Sequence, residues 1–308
     1  MTLLLGGDCS EETTPPPEWR YWNVENGLGG NTVNRIWVDN AKLTWFATSG
    51  GLSRLAGENM TNQTSADGLP SDEVWSVCRA TNDDLWVGTP NGAARLHTDN
   101  PWITYDTVDG LPSNSIRALF PDNEAGVWLA TDAGLSHFNT SIFINYTTAQ
   151  GMPTNQFWDV YVAQNGDVWA GSDAGAIKLA GGSGTPIIYN TSSGMADDIV
   201  YAVYVVNGDV WFGTANGASI LQGSQMTTFR TEQGLPTNLI YDITEDTQGG
   251  IWFATGGGGV SRYFLGEFQN YSSSDGMTAD YVLAVAVNNL NTKWFGLLGG
   301  GVNRLVTY

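Results

Sequence analysis

The sequence contains few of the residues that build common catalytic and metal sites. It has two cysteines, Cys9 and Cys78, which is too few for a disulfide framework or a cysteine zinc site. It has two histidines, His97 and His137, which we place on the third strands of different repeats, so we predict no metal site and no catalytic residue. The glycine runs lack the Lys-Ser or Lys-Thr of a phosphate loop, and no cofactor is expected.

Basic residues are also scarce. Lysine and arginine total 12 against 31 acidic residues, which gives a formal net charge of −19. Phosphate binding depends on basic contacts, so this balance excludes nucleic acid as a partner and disfavours an anionic membrane surface. We interpret the excess negative charge as a source of solubility.

Long apolar runs are missing from the N-terminal tail, residues 1–17. Its three contiguous leucines are too few for a signal peptide or a membrane span. Its small residues, lone Cys9 and proline-rich spacer nevertheless resemble the end of a bacterial lipoprotein signal, although Asp8 stands where that signal has a small residue. Two interpretations stay open: a flexible tail, or a leader remnant with lipidation at Cys9.

A tryptophan recurs through the rest of the chain at steps of 41 or 42 residues. We call these seven residues the marker tryptophans: Trp45, Trp86, Trp128, Trp169, Trp211, Trp252 and Trp294. Each is followed by Ala or Gly two positions later and by Gly six positions later. An apolar anchor precedes each marker by twelve positions: Val33, Val74, Ile116, Phe157, Ile199, Ile240 and Val282.

Each repeat consists of short apolar runs of period two, separated by turn residues, which is typical of β-strands. A period of about 40 residues with four strands indicates a β-propeller blade. Residues 19–28 match residues 102–111, an outermost strand, so we expect a strand within residues 18–23 to complete the last blade. The predicted fold is an all-β, seven-bladed propeller of four-stranded blades, one domain over residues 18–308, closed three-plus-one. The marker tryptophans are expected to pack between blades.

Two phrases recur in the repeats, as in "GLPSNSIRAL" followed by "VWLATDAGLSHF". They resemble the two-component regulator propeller repeat, and the resemblance extends over all seven blades. Propellers of that family usually form the periplasmic sensor region of bacterial signalling proteins. The resemblance therefore implies a recognition module that is periplasmic, anchored to the outer membrane or extracellular, while the residues alone leave a cytoplasmic location open.

Candidate binding residues are expected where the repeats differ around the channel mouth. The loops that enter the innermost strands and those that join the second and third strands share this face. We interpret the Ser-Asn and Thr-Asn pairs of the entry loops as structural. Directly after the anchors stand Asn34, Trp75, Arg117, Trp158, Val200, Tyr241 and Leu283. One position further stand Arg35, Ser76, Ala118, Asp159, Tyr201, Asp242 and Ala284.

Seven of these residues are predicted to bind a ligand. The predicted stacking residues are Trp75, Trp158 and Tyr241, and the predicted polar contacts are Arg35, Arg117, Asp159 and Asp242. The alternative is that the aromatic residues fill wedges between blades, as the markers do.

The sequence predicts a non-catalytic recognition module whose partner is a small molecule, a glycan or a protein. Two alternatives stay open: an assembly scaffold that makes protein contacts or self-assembles, and a lyase or hydrolase. A seven-bladed lyase acting on cyclic peptide antibiotics resembles this chain only in architecture.

Overall fold

The computed structural model describes residues 18–39, 43–98 and 101–306. Cys9 and the tail of residues 1–17 lie outside the described residues, so the leader hypothesis stays a prediction. Among the residues described, no helix has the length and apolar character needed to cross a membrane.

The described chain forms seven antiparallel sheets of four strands each, as predicted. Blades 1 to 3 comprise β2 (Val33–Val38), β3 (Leu43–Thr48), β4 (Gly51–Ala56), β5 (Asn59–Gln63), β6 (Ser76–Arg79), β7 (Leu85–Thr89), β8 (Gly92–Leu96), β9 (Ile103–Tyr105), β10 (Ile116–Pro121), β11 (Val127–Thr131), β12 (Gly134–Phe138) and β13 (Phe143–Tyr146). Blades 4 and 5 comprise β14 (Phe157–Val162), β15 (Val168–Ser172), β16 (Gly175–Leu179), β17 (Ile187–Tyr189), β18 (Val200–Val206), β19 (Asp209–Thr214), β20 (Gly217–Gln222) and β21 (Gln225–Phe229).

Blade 6 comprises β22 (Ile240–Glu245), β23 (Ile251–Thr255), β24 (Val260–Phe264) and β25 (Glu267–Tyr271). Blade 7 takes β26 (Val282–Val287), β27 (Lys293–Leu297) and β28 (Val302–Val306) from the C-terminal part of the chain and β1 (Glu18–Trp22) from the N-terminal part. The register of β1 on β28 runs from Glu18 opposite Val306 to Trp22 opposite Val302. The predicted three-plus-one closure is therefore confirmed.

The entry loops begin with single turns of 3-10 helix. These turns are Val24–Asn26, Ser65–Asp67, Thr107–Asp109, Thr148–Gln150, Thr191–Ser193, Thr231–Gln233 and Ser273–Asp275, and an eighth, Ala180–Gly182, lies within blade 4. The Asn seven residues after the start of a turn accepts its first free amide, as Asn114 Oδ1 does from Thr107 N at 2.9 Å and Asn155 Oδ1 from Thr148 N at 2.8 Å. The structural interpretation of these Ser-Asn and Thr-Asn pairs is confirmed.

All seven marker tryptophans are buried, with no more than 5% of any of them exposed. The small residue two positions later gives each blade room to approach the next. A methyl group added at Gly88 would lie 2.7 Å from the side chain of Ile116 in blade 3, so this contact requires glycine. Trp128 of blade 3, for example, lies in one buried cluster with Phe157, Val160 and Val168 of blade 4.

Opposite most marker tryptophans, the third strand carries a basic residue. The side chain of that residue lies over the indole ring. Arg304 lies 5.4 Å from the Trp294 ring, and Lys178 lies 5.3 Å from the Trp169 ring. In blade 3 the partner is His137, which stacks on Trp128 at 4.5 Å. In three blades an aspartate of the first hairpin supplies a counter-charge to the basic side chain, as Asp167 does for Lys178 at 2.7 Å. The scarce basic residues are thus largely used inside the blades.

The two histidines and the buried cysteine have structural contacts. His137 Nε2 lies 2.8 Å from Asp122 Oδ2, and His97 Nδ1 lies 2.5 Å from Asp84 Oδ1. His97 stands one residue beyond β8, which corrects its predicted place on the third strand. Cys78 is fully buried in blade 2, and burial raises the pKa of its thiol.

Candidate functional site at the channel mouth

A pocket of about 270 Å³ opens at the channel mouth, on the face that carries the entry loops. We call it the mouth pocket, and its lining residues are Asn34, Arg35, Trp75, Arg117, Trp158, Tyr201, Tyr241 and Leu283. Every blade contributes to this lining, because the residue after each anchor points into the channel. Five of the seven predicted binding residues lie on its wall or floor, and the other two lie directly beneath.

Four half-buried aromatic residues from four consecutive blades form one side of the mouth. We call them the aromatic arc: Trp158, Tyr201, Tyr241 and Tyr281. Ring centroids are separated by 5.7 Å between Trp158 and Tyr201, 5.4 Å between Tyr201 and Tyr241, and 5.7 Å between Tyr241 and Tyr281. The hydroxyl groups of Tyr241 and Tyr281 lie 2.7 Å apart. Unlike the markers, these rings keep part of their surface open to solvent.

Arg117 lies between two tryptophan rings. Its guanidinium carbon is 4.9 Å from the ring centroid of Trp75 and 4.7 Å from that of Trp158. Nε and Nη2 donate to the two carboxylate oxygens of Asp132 at 2.6 and 3.1 Å. Asp132 belongs to the turn between β11 and β12, so the two kinds of loop meet on this face as expected.

Asp132 also accepts a hydrogen bond from Ser115 Oγ at 2.6 Å and one from Gln156 Nε2 at 3.2 Å. Partial burial acts to raise the pKa of Asp132, but the hydrogen bonds from Arg117 and Ser115 prevail and lower it. The carboxylate therefore stays ionised at neutral pH and holds Arg117 in place between the two rings.

Arg35 closes the floor of the mouth pocket. From blade 1 it reaches across the channel, donating through Nη1 to Asp242 of blade 6 at 2.8 Å and through Nη2 to Asp159 of blade 4. We call these three residues the channel bridge. The second carboxylate oxygen of Asp159 accepts from Val203 N at 2.9 Å, and that of Asp242 accepts from Val285 N at 3.0 Å. The two carboxylates therefore lie beneath Arg35, and Arg35 itself faces the pocket.

Burial shifts the titration of the channel bridge. It raises the pKa of Asp159 above its ordinary value and that of Asp242 to about 6, in both cases against the attraction of Arg35. Burial acts to lower the pKa of Arg35, but the two carboxylates prevail and raise it. Arg35 is therefore always charged, and one cation is shared by two buried carboxyl groups.

The opposite end of the channel is narrowed by large side chains four positions after the anchors. Phe120 and Tyr161 pack at 4.4 Å between ring centroids, and Tyr161 and Tyr204 pack at 5.5 Å. Trp37 reaches Phe120 at 6.3 Å across the small Cys78 of blade 2. Together with the channel bridge, these rings make the mouth pocket a cup that opens on one face.

The sequence prediction missed Tyr201 as a member of the lining. The anchor of blade 5 is the fully buried Val200, not Ile199, because the first hairpin of this blade is one residue shorter. Four residues separate Val205 from its partner Val210, whereas five separate Glu245 from Ile251 in blade 6. The predicted spacing of twelve residues between anchor and marker is therefore wrong for this blade. Tyr201 takes the lining position that was assigned to Val200.

A sequence signal for this shift exists in the aromatic residues at the other end of the channel. Trp37, Phe120 and Tyr161 each stand four positions after their anchors. Tyr204 joins that series only if the anchor is Val200. Tyr281 was also missed, since it precedes its anchor and reaches the arc through its hydroxyl group rather than through a place in the lining.

The family model described as the two-component regulator propeller matches residues 68–91 and 234–257, in blades 2 and 6. The resemblance drawn from the repeats is thereby confirmed. No curated protein is significantly similar in sequence to this chain.

Solved structures share the fold. The extracellular domain of a putative hybrid two-component system, BT3049, from B. thetaiotaomicron superposes with a TM-score of 0.82 at 20% identity, over 95% of this chain and 42% of that chain. PorZ, a surface component of the type-IX secretion system of Porphyromonas gingivalis, gives 0.72 at 16% identity, over 90% and 47%. Virginiamycin B lyase from Staphylococcus aureus gives 0.75 at 13% identity, over 95% and 100%. The chain thus spans about two fifths of the sensor-domain structure.

Proposed function

We propose that this chain is a non-catalytic recognition module that binds its ligand in the mouth pocket. The observation that carries the proposal is the aromatic arc, whose half-open rings come from consecutive blades and converge on one cup. Because the arc stands on inner strands that are packed on both sides, its geometry is fixed before a ligand arrives. Stacking on open aromatic faces beside a few polar groups is typical of small-molecule and glycan sites.

The chemistry of the lining supports binding rather than catalysis. The mouth pocket is lined by Asn, Arg, Trp, Tyr and Leu, and no carboxyl or imidazole group that could act as a general base belongs to this lining. Burial and the hydrogen bond with Tyr281 raise the pKa of Tyr241, which keeps its hydroxyl group protonated. Both histidines are engaged with carboxylates of their own blades. Because lyases also have this fold, conversion of a bound ligand to product is tested as well.

A larger groove of about 550 Å³ lies between blades 4 and 5, among the first-hairpin residues. Its lysine, Lys178, is paired with Asp167 at 2.7 Å. Six of its fifteen lining residues belong to hairpin turns, and its aromatic rings come from only two blades, whereas those of the mouth pocket come from four. We therefore place the ligand in the mouth pocket.

The proposed location is outside the cytoplasm. Its support is the likeness to an extracellular sensor domain and to a bacterial surface component, together with the family resemblance. In this setting the propeller binds a ligand as one part of a larger signalling or surface assembly.

The proposal predicts that Tyr201→Ala and Tyr241→Ala remove ligand binding without unfolding the protein. A panel of metabolites, glycan fragments and peptides is screened by thermal shift, and the hits are then measured by calorimetry. Loss of one stacking ring is expected to weaken binding about tenfold or more, since base or sugar stacking on an aromatic face contributes on the order of 1–3 kcal/mol. Tyr21→Ala is the matched control, because Tyr21 is exposed on β1, away from the pocket.

Hits that bind both tyrosine variants as tightly as the unmodified protein would place the site elsewhere. Conversion of a hit to product, surviving chelation and substitution of both histidines, would contradict the non-catalytic assignment.

The scaffold alternative is favoured by one observation, a series of exposed isoleucines on the rims of three adjacent blades. The outermost strands of blades 2 to 4 or their flanks carry Ile103, Ile142, Ile144, Ile187 and Ile188. Exposed apolar side chains on edge strands mark contact surfaces. If the rim joins copies of the chain, light scattering is expected to give a mass above the monomer that persists on dilution and falls to the monomer in Ile144→Lys. A monomer at every concentration would remove self-assembly.

A further inference from the structure

We propose that the mouth pocket takes an organic cation, such as a quaternary ammonium group, in preference to an anion or a neutral sugar. The inference rests on the proposed function, since it names the class of ligand for the same pocket. It follows from three properties of the described residues: ring faces that already hold a cation, a negative balance of charge, and polar groups most of which already have hydrogen-bond partners in the protein.

The first property is that the pocket contains a cation between two aromatic faces. The Arg117 guanidinium lies within 5 Å of the ring centroids of both Trp75 and Trp158, inside the range in which a ring face attracts a cation. Trp158 also begins the aromatic arc. The ring faces of Tyr201 and Tyr241 continue from it and line the open part of the pocket, where a second cation has the same kind of surface available.

The second property is the charge of the pocket. Its two guanidinium groups contribute +2, and the three carboxylates paired with them, Asp132, Asp159 and Asp242, contribute −3, which leaves −1 when all are ionised. The entry and turn loops of the same face add Glu73 and the exposed Asp173. Both arginines are already neutralised, so an anion gains little from them, whereas a cation is attracted by the excess.

The third property concerns hydrogen bonding. A neutral sugar needs donors and acceptors for its hydroxyl groups, but most polar groups of this pocket are engaged, and the unpartnered Nε1 of Trp158 is buried. The hydroxyl groups of Tyr241 and Tyr281 bond to each other at 2.7 Å, and Asn34 Nδ2 donates to Val74 O at 2.8 Å. A quaternary ammonium ion requires no hydrogen bond and gains from ring faces alone, so it loses less on entering.

The test compares two probes of the same shape that differ in charge. Choline chloride and 3,3-dimethylbutan-1-ol share a skeleton, with nitrogen replaced by carbon in the alcohol. Binding to the intact chain is measured by calorimetry and by tryptophan fluorescence at constant chloride. Choline is expected to bind at least tenfold more tightly than the alcohol, and Tyr201→Ala or Tyr241→Ala is expected to weaken choline binding about tenfold. Tyr21→Ala is expected to bind choline as the unmodified protein does.

The outcomes separate the two proposals. Equal affinity for both probes, lost in the tyrosine variants, overturns the cation preference and keeps the pocket as a binding site. Choline binding that the tyrosine variants leave unchanged lies outside the pocket and overturns the inference. If choline does not bind but a glycan or peptide from the panel does, with loss in Tyr201→Ala, the cation preference is wrong and the proposed function stands. Absence of binding by any probe counts against both.

Discussion

A chain that lacks residues 1–22 is expected to lose its cooperative thermal transition and to aggregate. Strand β1 supplies the outer strand of blade 7, and all five of its residues pair with β28. Trp22 packs on Trp294 with ring centroids 5.3 Å apart, and Trp19 packs on Phe295 at 5.9 Å. Burying a tryptophan contributes on the order of 3 kcal/mol. Losing both, together with the strand pairing, removes an amount comparable to the whole stability of a typical domain.

The deletion also uncovers the edge of β28, and an open edge strand pairs with other chains. Two matched controls are used. One distinguishes the effect of losing β1 from that of losing residues 1–17, and the other distinguishes the pairing of β1 from its role in closing the ring. Removal of residues 1–17 alone is the reference for the deletion, because it differs from the longer deletion only by β1. A permuted chain that carries residues 18–23 after Val306, joined by a short turn, keeps the pairs of β1 with β28 but no longer ties the two termini together.

That permuted chain is expected to be monomeric and cooperative, with a lower melting temperature than the natural order. The measurements are differential scanning calorimetry and light scattering. A monomeric deletion variant that melts like the full chain would show that β1 does not hold the ring closed.

The closure was predictable because it depends on a local match. Residues 19–28 repeat the pattern of residues 102–111. This match alone identifies an outermost strand that has no blade of its own in the N-terminal part of the chain. The blades were predictable for the same reason, since each is made from consecutive strands with short turns. A regular fold of this kind shows its period in the sequence.

The mouth pocket was predictable only as a set of positions. The place directly after each anchor identified Trp75, Arg117, Trp158 and Tyr241, all of which line the pocket. The partners of these residues were not predictable, because the pairing depends on distances across the ring. Arg35 meets Asp159 and Asp242, which are 124 and 207 residues away in the chain and belong to blades 4 and 6. The repeat pattern gives the face of a residue but not how far its side chain reaches.

One periodic signal in the sequence remained unused. A basic residue or histidine follows six of the seven marker tryptophans by nine or ten positions: Arg54, Arg95, His137, Lys178, Arg262 and Arg304. The exception is Ile220 in blade 5, opposite Trp211. Because these side chains lie across from the markers on the third strand, the pattern predicts the place of five of the twelve lysine and arginine residues. Arg35 and Arg117, the two cations of the mouth pocket, lie outside this pattern.

Substitution of Arg35 by Met is expected to destabilise the protein by about 3–5 kcal/mol, the usual cost of leaving a buried ion pair without one partner. Asp159 and Asp242 are both buried, and without Arg35 they face each other across the channel with no counter-charge. Met keeps most of the volume of the Arg35 stem, so the loss is electrostatic rather than a cavity. Urea unfolding followed by tryptophan fluorescence measures it.

The loss in Arg35→Met is expected to grow with pH. Burial already raises the pKa of Asp242 to about 6 in the folded protein, above the value of about 3.9 for an unfolded aspartate, and loss of Arg35 raises it further. The folded state then binds protons more tightly than the unfolded state, so this stabilisation is fully present below about pH 4 and is lost as the pH rises from there through the folded pKa. The free energy of unfolding is therefore compared at pH 5 and pH 8.

The control for this experiment is the triple variant Arg35→Met with Asp159→Asn and Asp242→Asn. Asparagine keeps an acceptor for the amides of Val203 and Val285 and carries no charge. The triple variant is expected to recover most of the stability and to lose the pH dependence. A loss in Arg35→Met that is the same at pH 5 and pH 8, and that the two asparagines do not relieve, would mean that Arg35 acts through packing. In that case the channel bridge would not be an electrostatic link between blades 1, 4 and 6.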